Sequence, residues 1–332
     1  MNRRGFIRLI AGAAAAWPLA ARPQQPLPVI ALVNATSADA GAIYAAAFRK
    51  ALAETGYVEG QNMTVEPYWL EGQLEDKYLA VMRDLVRRRV AVIATVIAGR
   101  AAIAAKAATS TIPIPIVFSV GQDPVKYGLV ASLARPGGNA TGTNYFNTEI
   151  SAKRLGLLHE LVPKARRIAV LLNPLVQGTN APDALADFQE AARTLGLEIV
   201  HVLRANTTQQ IDAAFATLER ERPDALWVTG SGFFASHSAQ IVNLTARSRI
   251  PASYGSRDIV VAGGLMSYAA KVEDSIRQVG VYAGRILKGA KPADLPVVQA
   301  TTFEFVINLQ TARTLGIDIP PGVFAIADEL IQ

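Results

Sequence analysis

The chain has 332 residues, of which 51% are hydrophobic and 18% are charged, enough for about two globular domains. It has no cysteine, which excludes disulfides, thiol nucleophiles and a lipid-modified cysteine anchor. The formal net charge of +6 includes Arg3, Arg4, Arg8 and Arg22 in a stretch without acidic residues, so the rest carries about +2 (6 − 4), too little to favour nucleic acid as a partner.

The first 26 residues have the order of an export signal. Paired arginines, Arg3 and Arg4, precede an apolar, alanine-rich stretch from Leu9 to Trp17, and small residues follow up to Ala21. The stretch is too short for a membrane-spanning helix, which needs about 20 apolar residues. The arginine pair predicts the twin-arginine export route. We expect cleavage near Ala21 and, since no cysteine follows, a protein free in the periplasm without a lipid anchor.

From residue 27 the chain alternates apolar runs with helical periodicity. The continuous apolar run Val29–Asn34 predicts a strand that is covered on both faces. A helix with Tyr44, Phe48 and Leu52 on one face follows, and Gly56 is placed to end it. The pattern then predicts a strand over 63–69, a helix over 76–89 and strands over 91–96 and 114–120.

The second half restarts with the same kind of run at 168–173, which again ends in asparagine. A helix opens near Pro182 and ends at Gly196, and another begins at about Gln209. Further strands are predicted over 198–203, 224–229 and 250–254. This alternation predicts an α/β fold with two doubly wound parallel-sheet lobes. Ligands of such sheets bind at the carboxyl ends of the strands, so we expect a cleft between the lobes.

The motifs give no support for a cofactor, a metal or a catalytic residue. Gly230–Ala235 matches a loose dinucleotide fingerprint, but no acidic residue lies between Ala225 and Arg257 to hold the ribose. The histidines, at 159, 201 and 237, lack metal-ligand spacing. We therefore do not expect an enzyme, although a catalytic triad assembled only in space is an open alternative.

Aromatic residues cluster near the predicted strand ends, at Tyr145, Phe146, Phe233, Phe234, Tyr254 and Tyr268. Each can pack in the core or face the cleft. As a group they indicate a partly apolar, flat ligand held by stacking.

Several blocks of the sequence resemble one family. They are IVFSVGQDPV at 116–125, GLVASLARPGGNATG at 128–142, AGGLMSY at 262–268 and RILKGAKPADLP at 285–296. The chain resembles, from about Pro28 to Glu329, the ABC-transporter substrate-binding proteins that include tryptophan- and tyrosine-uptake receptors. The resemblance implies a type I periplasmic-binding-protein fold whose two lobes are joined by three crossings and close on a small ligand. It also implies an ABC permease in the inner membrane as partner.

The same resemblance implies the domain boundaries. The first lobe would comprise residues 27–144 plus about 270–296, and the second 145–269 plus about 297–332. The crossings would fall near Tyr145, near Tyr268 and near 296–299, and the helix over 272–288 would return to the first lobe.

Ligand contacts are expected at strand-end loops and helix starts. In the first lobe these positions are Asn34, Thr36, Gly99, Arg100, Gly121 and Asp123. Free amides at a helix start attract a carboxylate, and Arg100 either adds a charge-assisted bond or points to solvent. Asp123 either receives an α-amino group or caps the turn before Pro124.

The candidates in the second lobe are Asn173, Ser231, Phe233, Tyr254 and Tyr268. Members of the family often have an acidic residue near Ser231, and this chain has none there. The ammonium group of an amino acid would therefore lack one expected partner, which favours an aromatic ligand that is neutral or purely anionic. A sensory binding module for a membrane receptor, and a periplasmic enzyme on the same fold, are the alternative functions.

Overall fold

The computed structural model describes residues 26–71, 75–145, 149–175 and 181–332. The predicted export signal, apart from its last residue, lies outside the described residues. Over the described ranges, no helix has the length and apolar character needed to cross a membrane.

The helices and strands alternate along the chain. The strands of the described residues are β1 (Val29–Asn34), β2 (Thr64–Trp69), β3 (Val92–Val96), β4 (Ile116–Val120), β5 (Ala140–Asn144), β6 (Arg167–Leu172), β7 (Glu198–Arg204), β8 (Ala225–Val228), β9 (Ala252–Tyr254), β10 (Met266–Ala270), β11 (Val298–Gln299), β12 (Phe303–Asn308) and β13 (Glu329–Ile331). The helices are α1 (Ala38–Glu54), α2 (Glu75–Arg88), α3 (Gly99–Ala108), α4 (Glu149–Leu161), α5 (Ala181–Thr194), α6 (Thr208–Glu221), α7 (Gly232–Ser236), α8 (Ser238–Ser248), α9 (Arg257–Val261), α10 (Val272–Leu287), α11 (Leu309–Leu315) and α12 (Pro321–Ile326).

The first sheet is parallel, with strand order β11-β5-β4-β3-β1-β2. Its central strands are buried along almost their whole length, which explains why they are continuous apolar runs in the sequence. One face packs against α2 and α3, through Met82 among others, and the opposite face packs against α1 and α10 through Phe48 and Ile276. This sheet with its helices is the first lobe.

The second sheet has the strand order β13-β12-β10-β9-β8-β6-β7. Helices α4 and α5 cover one face through Leu158 and Phe188, and helices α6 and α8 cover the other through Phe215 and Ile241. This sheet with its helices is the second lobe. The prediction of two doubly wound α/β lobes is confirmed, with one difference: β12 runs antiparallel to β10.

The chain passes between the two sheets after β5, after β10 and after β11. Helix α10 therefore belongs to the first lobe although the strands of the second lobe precede it. It lies so close to α1 that a Cβ at Gly280 would be 2.7 Å from the carbonyl oxygen of Phe48. Val298–Gln299 pair with β5, so the first sheet includes residues up to 299.

Glycines end two of the helices where the sequence places them. Gly56 follows α1 with φ +92° and Gly196 follows α5 with φ +67°. These left-handed conformations are easy for glycine because it has no Cβ. The ends of both helices are thus set by local sequence.

Candidate functional site

A cavity lies between the lobes, and the empty space in it, open mouth included, is about 1000 Å³. Its walls are loops at the carboxyl ends of strands from both sheets, together with the start of α10. The lining residues are Ala35, Thr36, Tyr44, Tyr78, Ile97, Ala98, Gly99, Arg100, Gln122, Tyr145, Asn173, Leu175, Gly230, Ser231, Gly232, Phe233, Ala235, Gly255, Ser256, Ala269, Ala270 and Val272. The cavity therefore lies where ligands of doubly wound sheets bind.

The loop after β1 is shaped by Asn34. Its side-chain Oδ1 accepts hydrogen bonds from the N–H and the hydroxyl of Thr36, both at 2.9 Å. Both residues are buried, and Thr36 lines the cavity whereas Asn34 does not. Asn34 thus fixes the position of Thr36 through hydrogen bonds but does not itself line the cavity.

The loop after β3 turns sharply into α3. Ile97 has φ +53°, a left-handed conformation that is unusual for a β-branched residue. Strain of this kind costs about 1–3 kcal/mol and is common at functional sites. The turn places the start of α3, with Gly99 and Arg100, in the cavity wall. A ten-residue helix with no side chain capping its start thus meets the cavity, a favourable arrangement for an anion.

The loop after β4 contributes Gln122 rather than its neighbours. Gly121 is buried outside the lining, and Asp123 is exposed. The Asp123 carboxylate accepts hydrogen bonds from the N–H groups of Val125 (2.8 Å) and Lys126 (3.2 Å). Both bonds go to the Oδ1 atom, which makes Asp123 the cap of an Asx turn, one of its two predicted roles.

The second lobe repeats the asparagine loop. Asn173 follows β6, lines the cavity, and accepts a hydrogen bond from the N–H of Leu175 at 2.9 Å. After β8, Ser231 caps α7 by accepting a hydrogen bond from the N–H of Phe234 at 3.0 Å. Phe233 lies in the wall beside it, with its ring 4.3 Å from that of His237.

Two predicted aromatics lie elsewhere. Tyr254 is buried, and its hydroxyl donates to Thr245 at 3.1 Å, away from the cavity. Tyr268 stacks on Phe303 and lies under the Lys153 ammonium group. The cavity is instead lined by their neighbours in the chain, the backbone at Gly255 and the small side chain of Ala269. Strand ends identify the correct edge of a sheet, but adjacent residues point to opposite faces.

Three tyrosines complete the aromatic wall, and of these only Tyr145 was among the predicted strand-end aromatics. Tyr44 and Tyr78 belong to helices, where the spacing of Tyr44 with Phe48 and Leu52 predicted a packed face, and Tyr145 follows β5. Burial raises the pKa of each hydroxyl, and for Tyr44 the neighbouring Asp258 adds to the rise. All three are therefore neutral at physiological pH and can donate hydrogen bonds.

The two lobes touch beside the cavity. The Tyr44 hydroxyl donates to the Asp258 carboxylate at 2.5 Å, and the N–H of Ser37 donates to the Ser236 hydroxyl at 2.9 Å. Nearby, the His237 ring lies 3.3 Å from the Glu71 carboxylate. These contacts join the first lobe to the second, so the cleft is closed along this side.

Arg100 is the only charged side chain in the described lining, which includes no carboxylate. Nor do the described residues include a group of three or more histidine, aspartate or glutamate side chains suited to a metal ion. The wall is thus aromatic and weakly cationic.

The sequence model of the ABC transporter substrate-binding proteins matches residues 29–331. The chain belongs to this family. Members bind substrates for ABC transporters, so the cavity between the lobes is a substrate-binding site, and the fold is that of a type I periplasmic binding protein.

Relatives of this substrate-binding protein come from several bacteria. It is 28% identical to the tyrosine-binding protein of Clostridioides difficile (strain R20291) over 276 residues, which cover 81% of this chain and 75% of that protein. The crystal structure of an ABC domain from Streptococcus pneumonia in complex with L-Trp matches with a TM-score of 0.81 and 26% identity, covering 92% of this chain and 100% of that one. A conserved domain protein from Vibrio cholerae matches with a TM-score of 0.82 and 25% identity, covering 91% and 99%.

Proposed function

We propose that this substrate-binding protein captures a small aromatic acid between its lobes and delivers it to an ABC permease in the inner membrane. The observation that carries the proposal is the composition of the cavity wall, in which Tyr44, Tyr78, Tyr145 and Phe233 accompany a single charged side chain, Arg100. Aromatic walls favour flat apolar rings, and the guanidinium favours a carboxylate.

Each end of such a ligand has a matching part of the site. The ring of Phe233 is held by its contact with His237, so it offers a fixed surface for stacking. The start of α3 and Arg100 offer amide and guanidinium donors for the acidic group. An aromatic acid is therefore recognised at both ends.

The relatives support the same class of ligand. One is named for binding tyrosine and another was crystallised with L-Trp, and both amino acids combine an aromatic ring with a carboxylate. The described lining of this chain has no carboxylate for an ammonium group. We infer that the ring and the acid supply most of the affinity and that the amino group supplies little.

Transport then follows from lobe closure. A ligand that contacts both lobes binds the closed form more tightly than the open form and shifts the population towards it. The contacts of Tyr44 with Asp258 and of Ser37 with Ser236 form only when the lobes meet. The permease would recognise this closed form, and no bond is made or broken in the substrate-binding protein itself.

The location belongs to the same proposal. We propose that the export signal is cleaved near Ala21 and that the protein acts free in the periplasm, without a lipid anchor and without nucleic acid as a partner. Mass spectrometry of protein from a periplasmic extract should find a chain beginning just after Ala21. A chain that still carried Arg3 and Arg4, or that stayed in the membrane fraction, would contradict it.

A thermal-shift screen tests the ligand class. The panel contains L-tryptophan, L-tyrosine, indole-3-propionate and D-glucose. A ligand at 100 times its dissociation constant stabilises the protein by about 2.7 kcal/mol, so we expect a clear rise in melting temperature with aromatic acids. A shift with the sugar alone would contradict the proposal.

Arg100→Met tests the proposed acid contact in the first lobe. Hydrogen bonds to charged groups are worth about 1.5–3 kcal/mol, so the affinity for the aromatic acid should fall by about tenfold or more. Arg135→Met is the matched control, since Arg135 is an exposed arginine outside the cavity. Equal affinities of the two variants in calorimetry would remove Arg100 from the site.

A further inference from the structure

A second guanidinium lies directly behind the cavity wall in the second lobe. Arg154, on α4, is only 3% exposed. Its Nη2 donates to the carbonyl oxygen of Val228 at 2.9 Å, and the group lies 4.0 Å from the centre of the Trp227 ring. The guanidinium is thus fixed against β8, the strand that leads into the Ser231 loop.

Arg154 has no counter-charge among the described residues. Its Nε is buried and has no hydrogen-bond partner within them. Burial lowers its pKa to about 9, with no neighbouring charge contributing, so the group is still cationic at neutral pH. Buried charges are normally paired, because an unpaired one is costly.

Backbone of the cavity wall lies against this cation. Gly230 and Gly255 line the cavity in front of Arg154. A Cβ at Gly255 would lie 2.7 Å from Arg154 Nη1 and 2.5 Å from the Cα of Gly230. The two glycines and the guanidinium are therefore close together. Because glycine has no side chain, neither residue adds atoms beyond its backbone between the charge and a ligand.

We propose that Arg154, behind Gly230 and Gly255, forms an anion subsite in the second lobe that binds the acidic group of the ligand. The inference rests on the proposed function, since it assigns the residue that recognises the acid of an aromatic ligand. Arg100 of the first lobe lines the same cavity. An acidic group can thus be drawn to cations of both lobes, which links its capture to closure.

A purely structural role predicts a different behaviour. In that case Arg154 would only brace β8 through Val228 and Trp227. Its loss would then lower stability, and it would weaken all ligands by the same factor. Selectivity between an acid and its neutral analogue is therefore the property that distinguishes the two roles.

Calorimetry with a matched pair of ligands measures this selectivity. Indole-3-propionate and indole-3-propionamide share the ring and chain, and only the first has a charge. The variants are Arg154→Met and Arg154→Lys, with Lys153→Met as control, because Lys153 is an exposed cation one residue away. We expect Arg154→Met to weaken indole-3-propionate by about 10- to 100-fold and the amide by less than about threefold. Arg154→Lys should recover part of the loss, and the control should resemble the wild type.

The outcomes separate this inference from the proposed function. Wild-type binding of indole-3-propionate with equal losses for acid and amide in Arg154→Met would overturn the anion subsite and leave the function standing. Failure of the wild type to bind any aromatic acid would overturn both. If neither variant folds, a crystal structure of the wild type with indole-3-propionate decides. A carboxylate seated against Gly230 and Gly255, in front of the Arg154 guanidinium, supports the subsite, and a carboxylate placed elsewhere refutes it.

Discussion

The two lobes share the first part of a ligand-facing loop, which consists of a buried strand and an asparagine turn. In each, a buried interior strand, β1 or β6, leads into an asparagine, Asn34 or Asn173, whose Oδ1 accepts a hydrogen bond from the N–H two residues on. A short polar loop then meets the cavity. The same local sequence device thus gives the same loop shape on two separate sheets.

Beyond the asparagine the lobes differ in how they present positive charge. The first lobe places Arg100 in the wall itself, at the start of the ten-residue helix α3. The second lobe places glycine backbone in the wall and keeps Arg154 behind it, while α7 has only five residues. Two lobes with the same α/β architecture can therefore offer an anion either a charged side chain in the cavity wall or a buried charge behind glycine backbone. We call Gly230 and Gly255, which lie in front of Arg154, the glycine screen.

The largest expected effect tests the glycine screen. Gly255→Ala would bring a Cβ against the backbone of Gly230 and the guanidinium of Arg154. Overpacking of this kind costs about 1–3 kcal/mol, and the distorted wall should also lower ligand affinity. Urea unfolding and calorimetry of the variant measure the two effects.

Gly156→Ala is the control for this change. Gly156 lies within α4, on the same helix as Arg154, and a Cβ there would meet nothing within 4 Å. An alanine in a helix interior is favoured over glycine by about 0.5–1 kcal/mol, so this variant should be more stable. If Gly255→Ala proved as stable as Gly156→Ala, the close packing of the screen would be disproved.

A smaller effect compares the two asparagines. Asn34 accepts two hydrogen bonds from Thr36, whereas the Oδ1 of Asn173 accepts one, from Leu175, among the residues that the structure describes. With about 1 kcal/mol for each bond, Asn34→Ala should cost about twice as much stability as Asn173→Ala. Chemical denaturation of both variants gives the ratio, and a larger cost at Asn173 would mean that the two loops are not equivalent.

The smallest effect concerns pH and one ion pair in each lobe. Hydrogen bonds from Arg88 and Arg257 lower the pKa values of Glu66 and Glu329, respectively, below their ordinary value of 4.5. A lowered carboxyl pKa stabilises the fold above the ordinary value, and the contribution is lost as the pH falls through the folded-state pKa. Both pairs are partly exposed, so each is worth at most about 1 kcal/mol.

Glu66→Gln and Glu329→Gln measure this contribution. Each variant should be slightly less stable than the wild type at pH 7, and the difference should shrink towards pH 3. A difference that grew on acidification would reverse the sign of the argument and exclude these pairs as its source.

The architecture was largely predictable from sequence because its main strands are buried on both faces. The run at 29–34 coincides with β1, and the run at 168–173 is shifted by one residue from β6. Helix α10 was also predictable, since Ile276, Val279 and Ala283 form one apolar stripe. The antiparallel pairing of β12 was not, because strand direction depends on tertiary contacts that periodicity does not encode.

The site was predictable to the level of the strand-end loops and not beyond. Thr36, Gly99, Arg100, Asn173, Ser231 and Phe233 line the cavity. Tyr254 and Tyr268 lie one residue from the wall and point away from it. Side chains alternate between the two faces of a strand, so a prediction of the facing residue fails when the strand end is known only to within one residue. Arg154 gave no signal, because a basic residue within a helix is ordinarily exposed and only the fold shows that it is buried.

The return of α10 to the first lobe has a consequence for biogenesis. Residues 272–287 supply part of the cover for a face of the first sheet, yet they are synthesised after β6 to β10 of the second lobe. In a nascent chain that ends before α10, the apolar surface around Phe48, against which Val279 packs in the folded protein, is still uncovered. The first lobe can therefore reach its final packing only after β6 to β10 of the second lobe have been synthesised, although it begins the chain.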